Sequence, residues 1–134
     1  MKKILLLISV ISLSGIILLA VLGINPFSNI GKQVEKDYIF HNQTFMEFIT
    51  ENTSDVFINY KTYDKSSSNL CKIFEDLSYQ YVLKNHDFVF FCKGYDGMTG
   101  IGLLYSEMPF SPNPKQKIIK VLDDKWFVIS KHEL

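Results

Sequence analysis

The chain has 134 residues, with 14 basic and 14 acidic side chains and no formal net charge at neutral pH. With the charge balanced, the sequence shows no basic stripe to neutralise a phosphate backbone, and nucleic acid is a poor candidate partner. Every basic residue is Lys, so no Arg fork can grip a phosphate or carboxylate. Eleven Phe, seven Tyr and Trp126 supply enough buriable surface to exclude a disordered chain, and the length excludes a second sizeable domain.

Met1-Lys2-Lys3 is followed by an uncharged, predominantly apolar run from Ile4 to Ile24, closed by Asn25-Pro26. A bilayer core roughly 30 Å thick needs about 20 apolar residues at 1.5 Å each. The run meets that length and is apolar all round, which argues against a core helix of a soluble protein. Val21-Leu22-Gly23 is a passable cleavage site, but a cleaved signal has a shorter apolar core, of about 7–15 residues. The reading is therefore a membrane anchor (or uncleaved signal) over residues 1–24, a juxtamembrane break over 25–29, and one domain over 30–134. Lys2 and Lys3 favour a cytoplasmic N-terminus, which puts the domain outside the cytoplasm.

Beyond the break, Ile30, Val34, Tyr38, Phe45, Phe48 and Ile49 recur at helical steps with one gap around His41, predicting an amphipathic helix to about Glu51. Val56 to Tyr63 is rich in aromatic and β-branched residues and reads as a strand. Asn69 is placed to cap a second helix whose face carries Ile73, Phe74, Leu77 and Tyr81. The alternative is a strand over Tyr79–Leu83, paired with Phe88–Cys92 through Asn85-His86-Asp87. Phe88–Cys92 is apolar on both faces, as a central strand is. Gly94 to Gly100 supplies turn residues, and Gly102 close packing. Ile101, Leu103 and Tyr105 alternate on a further strand, Ser111–Pro114 is a stiff loop, and Ile118–Leu122 with Trp126–Ser130 flank a hairpin turn at Asp123-Asp124-Lys125. The expected fold class is α+β: an N-terminal transmembrane helix, then a small domain of one or two helices packed on one face of a three- to four-stranded antiparallel sheet.

Little in the chain points to chemistry. Two cysteines in a small external domain read as a disulfide, here Cys71–Cys92, closing a loop worth roughly 3 kcal/mol in chain-entropy terms. A catalytic thiol needs a base in reach, and Cys92 in an apolar strand has its thiol disfavoured as a nucleophile despite His41, His86 and His132 elsewhere. No cluster has metal-ligand spacing, no Gly-rich loop leads into a helix, and the adjacent acids Glu75-Asp76 and Asp123-Asp124 do not resemble a catalytic pair. No catalytic residue, metal or cofactor is assigned. The expected recognition surface is the Pro-rich loop with its aromatic neighbours: Tyr105, Pro109, Phe110, Pro112, Pro114 and Trp126. The sequence thus reads as a membrane-anchored, single-pass binding protein of the bacterial envelope, held through residues 4–24 and partnered by another envelope protein. The alternative is a small secreted or anchored hydrolase with catalytic residues dispersed along the chain.

Overall fold

A computed structural model of the protein describes residues 29–66 and 68–133, with residues 3, 4, 9, 10 and 14 before them. Among the described residues no helix is long and apolar enough to cross a membrane. The anchor expected over residues 4–24 lies outside the described residues at all but four of its positions.

The elements follow as α1 (Ile30–Glu51), β1 (Val56–Asn59), α2 (Ser68–Cys71) continued by a π-helical turn (Lys72–Asp76), β2 (Tyr81–Lys84), β3 (Val89–Asp96), β4 (Thr99–Tyr105), β5 (Gln116–Val121) and β6 (Trp126–His132). The strands form one sheet in the order β1-β2-β3-β4-β6-β5, every neighbouring pair antiparallel. The α+β class holds, but the sheet has six strands rather than three or four. One of the additional strands is β2, the strand weighed as an alternative over Tyr79–Leu83. The helix expected there ends at Asp76, and Ser78 then takes a left-handed φ of 58°. That conformation is costly for a residue with a Cβ and turns the chain out of any helix. The strand expected over Val56–Tyr63 stops at Asn59, because the Asn59 side chain accepts hydrogen bonds from the Lys61 and Thr62 amides at 3.0 Å each. An Asx turn of this kind diverts the chain from the sheet.

One face of the sheet is covered by α1. Val34, Phe45 and Phe48 are fully buried, and the Phe45 and Phe48 rings meet Phe91 of β3 at centroid distances of 4.8 and 5.6 Å. Burying each such side chain stabilises the fold by about 1.5–3 kcal/mol. The gap in helical spacing around His41 coincides with a kink: His41 has φ −132°, ψ 21° inside the helix. Before the kink α1 packs along β6 through Tyr38 on Trp126 (5.4 Å), and after it Phe45 reaches Tyr79 (5.5 Å). Ile39 and Phe40 at the kink stay exposed.

A largely buried polar clamp fixes this helix. Asp37 of α1 forms an ion pair with Lys93 of β3 at 2.9 Å, and the Tyr79 hydroxyl donates to the same carboxylate at 2.9 Å. Lys93 also donates to the Leu77 carbonyl and stands over the Tyr79 ring. All three side chains find partners, the condition for burying such charges.

Among the described residues the opposite face carries no helix, yet Phe90, Cys92, Leu104 and Ile129 are fully buried there with Tyr81 and Phe127. β3 and β4 approach closely, since a Cβ on Gly102 would lie 2.0 Å from the Phe91 carbonyl oxygen, beside the bulge between Cys92 and Gly94. The long connection from β4 to β5 adds Phe110, whose ring meets Phe127 at 5.4 Å.

Candidate functional site

The structure divides the expected recognition surface. Tyr105 and Trp126 are core residues, 4 % and 6 % exposed, with rings 4.9 Å apart beneath α1. They are corrected from surface to core, because the alternation of β4 and β6 sends both side chains toward the helix. Pro109, Pro112 and Pro114 are exposed, and Phe110 is half-buried. Their loop is held at its start by Ser106, whose hydroxyl donates to the Met108 carbonyl (2.7 Å) and whose amide donates to the Lys125 carbonyl (2.9 Å). The loop borders a cleft of about 330 Å³ lined by Phe88, Met108, Phe110 and Gln116 among others.

The two cysteines have different surroundings. Both are free thiols. Cys92 points to the helix-free face, one residue out of phase with Phe91, while Cys71 leaves α2 with its sulfur on the Lys65 carbonyl at 3.2 Å. The expected disulfide therefore has its two halves in separate surroundings. Burial pushes the Cys92 thiol up to about 11, partly offset by the neighbouring Tyr81 and Tyr95 hydroxyls. A thiol held neutral in this way is a weak nucleophile. His86 and His132 are exposed, and His41 sits in the kink of α1. Among the described residues no three His, Cys, Asp or Glu side chains gather as metal ligands.

A second surface escaped the sequence reading. Phe57, Tyr60 and Tyr95 are 60 %, 48 % and 46 % exposed. They border a cleft of about 250 Å³ with Asn59, Lys61 and Tyr81, and Tyr60 and Gln80 separate it from another of about 390 Å³ walled by Phe74, Glu75, Ser78 and Tyr79. Phe57 leans on Tyr81 (5.4 Å), whose hydroxyl donates to the Glu133 carboxylate at 2.7 Å; burial, then that hydrogen bond, push the Tyr81 phenol far up. Burial also raises Tyr95, to about 12. These phenols stay protonated and donate hydrogen bonds at any physiological pH.

Among the described residues the ridge adjoins a sheet edge that no further strand pairs. β1 is the outermost strand, and the Tyr60 amide donates inward to the Gln80 carbonyl at 2.8 Å. Antiparallel pairs alternate in direction, so the amide and carbonyl of Phe57 face away from β2. Rigid aromatic side chains beside an unpaired edge suit an extended peptide: the backbone supplies hydrogen bonds, and the clefts take alternate side chains. Exposure of β-strand aromatics is the missing signal, because period-two spacing marks Phe57 as strand without saying whether the strand is central or at an edge. Set against protein-family models, curated proteins and solved structures, the chain matches none.

Proposed function

We propose that this chain is a non-catalytic binding protein of the bacterial envelope, anchored through residues 4–24 with its N-terminus cytoplasmic and its α+β domain outside. In this reading it holds an extended segment of a partner protein along the free edge of β1. One observation carries the binding surface: Phe57, Tyr60 and Tyr95 stand exposed, at 60 %, 48 % and 46 %, beside the outward-facing backbone of Phe57. Tyr and Phe concentrated in one patch are characteristic of interface centres, and large exposed aromatics in a monomer otherwise oppose solubility. The apolar run of residues 4–24 supports the anchor through its length and the flanking Lys2 and Lys3.

The test is a photo-activated cross-linking residue placed at Phe57 in one full-length variant and at Ile39 in another, expressed in the native envelope. Ile39 is equally exposed, at 62 %, but lies on α1. Position 57 should give one discrete adduct that disappears when Tyr60 and Tyr95 are both changed to Ala, and position 39 should give none. Matching adducts from both positions, or none from position 57, would dismiss the surface.

A further inference from the structure

The two ends of the sheet differ in charge, and α1 tells which end the chain enters. At its start Ile30 packs on Gly94, where an added Cβ would lie 3.2 Å from the Ile30 side chain, and two turns later Tyr38 packs on Trp126. Gly94 lies near the β3–β4 turn, and Trp126 follows the β5–β6 turn. The helix thus runs from the first end of the sheet toward the second, and the 28 residues before Asn29 join at the first.

That first end is basic. Exposed Lys115 and Lys117 lie at the start of β5, exposed Lys61 follows β1, and exposed Lys32 is on the first turn of α1. Asp96, beside the β3–β4 turn, and Glu133, which accepts from the Tyr81 hydroxyl, are exposed acids at the same end. The tip of that turn, bent by Gly97 at φ 62°, presents Met98 at 55 % exposure. The second end is acidic. Its turns expose Asp87, Glu107, Asp123 and Asp124, and its lysines are engaged: Lys125 with Glu107 at 2.9 Å, Lys84 with the Ile49 carbonyl at 2.8 Å.

We propose that the basic end rests on an anionic lipid surface, with Lys32, Lys61, Lys115 and Lys117 against headgroup phosphates and Met98 at the interface. The inference builds on the anchored reading above. It goes beyond that reading by giving the domain an orientation. Ammonium groups near an anionic leaflet are attracted within about one Debye length, and long Lys stems let the charge reach phosphate while their methylenes lie along the surface. The acidic turns are repelled by the same surface, so both ends of the sheet favour one orientation. The occupant is argued from two independent facts: the chain leading to the apolar run joins at this end, and the charge there is complementary to lipid phosphate.

The experiment uses the full chain reconstituted in phosphatidylcholine vesicles, with and without about one third phosphatidylglycerol, and reads lysine acylation by mass spectrometry. Labelling of Lys115 and Lys117 should fall about threefold or more on the anionic vesicles and recover in molar salt, where the screening length is only about 3 Å. Lys125 at the far end should label equally in both. Equal labelling of Lys115 and Lys117 in the two compositions overturns the proposal. So does protection that follows protein density rather than lipid charge, which would assign the face to a second copy. Alkaline carbonate extraction of the same vesicles reports separately on the anchor. A chain that resists extraction but shows no lysine protection sinks this proposal alone, and one that is extracted yet protected sinks the anchor alone.

Discussion

At Gly102 a single methyl group would meet the Phe91 carbonyl oxygen at 2.0 Å, and the partner atom is backbone that cannot rotate away. Gly102→Ala is therefore expected to destabilise the domain by about 3 kcal/mol or more in urea unfolding. Gly97→Ala meets nothing within 4 Å and costs only the strain of its positive φ, about 1 kcal/mol. A smaller or equal loss at Gly102 would mean that β3 and β4 can move apart. Cys92 gives a second prediction at this scale. Its thiol is raised to about 11 in the folded chain against an ordinary value of 9.0. The stability it contributes is thus complete below about pH 9 and is lost as pH rises through about 11. At pH 8, without reductant, the native chain should take one alkyl label at Cys71, and a second only after unfolding; no label in the unfolded, unreduced chain would establish a disulfide instead. The expected Cys71–Cys92 tie shows where sequence reading stops. The count of cysteines is legible, but a bond needs both sulfurs in one place, and the alternation Phe91-Cys92 turns the sulfur away from the face that α1 covers.

Among the elements, α1 was the most legible because its apolar residues repeat at 3.6-residue spacing, and even its kink left a mark as the interruption around His41. The two sides of that kink predict different costs. Phe45→Ala should destabilise by about 3–5 kcal/mol, whereas Phe40→Ala, at a 69 % exposed position, should stay within about 0.5 kcal/mol. Equal effects would show that α1 docks differently. The clamp at Asp37 makes a third comparison. Asp37→Asn leaves Lys93 buried without its counter-ion and should cost about 3 kcal/mol, while Asp37→Leu with Lys93→Met should recover most of that loss. β2 was hidden for a physical reason. Ile73, Phe74, Leu77 and Tyr81 satisfy a helical period, and only the left-handed turn at Ser78 sends Tyr81 onto the helix-free face. Spacing carries no trace of that dihedral. The aromatic ridge was obscured similarly, since edge and central strands share one alternation. The Pro-rich loop is exposed, as its prolines suggest, whereas the strands that carry Tyr105 and Trp126 turn both side chains inward.

For the molecule as a whole, the sheet order places β2, β3, β4 and β6 between neighbours on both sides and leaves β1 and β5 at the edges. Amide hydrogen exchange should accordingly be slowest in β3, β4 and β6 and fastest in β1, whose four residues pair on one side only. Protection of β1 equal to that of β4 in the isolated chain would mean the free edge is already covered, and would remove the surface proposed for the partner. The hairpins β3–β4 and β5–β6 were legible from their turns, but the insertion of β6 between β4 and β5 was not. That insertion bears on the timing of assembly. β5 has no partner other than β6, and β4 is an edge until β6 arrives. A chain threaded through a membrane channel from its N-terminal side would deliver α1 and the first four strands early, yet the sheet stays unfinished until the stretch from Trp126 to His132 has emerged. Under the anchored topology proposed above, export is expected to proceed unfolded until β6 has emerged, with the middle of the sheet closing only on the far side of the membrane.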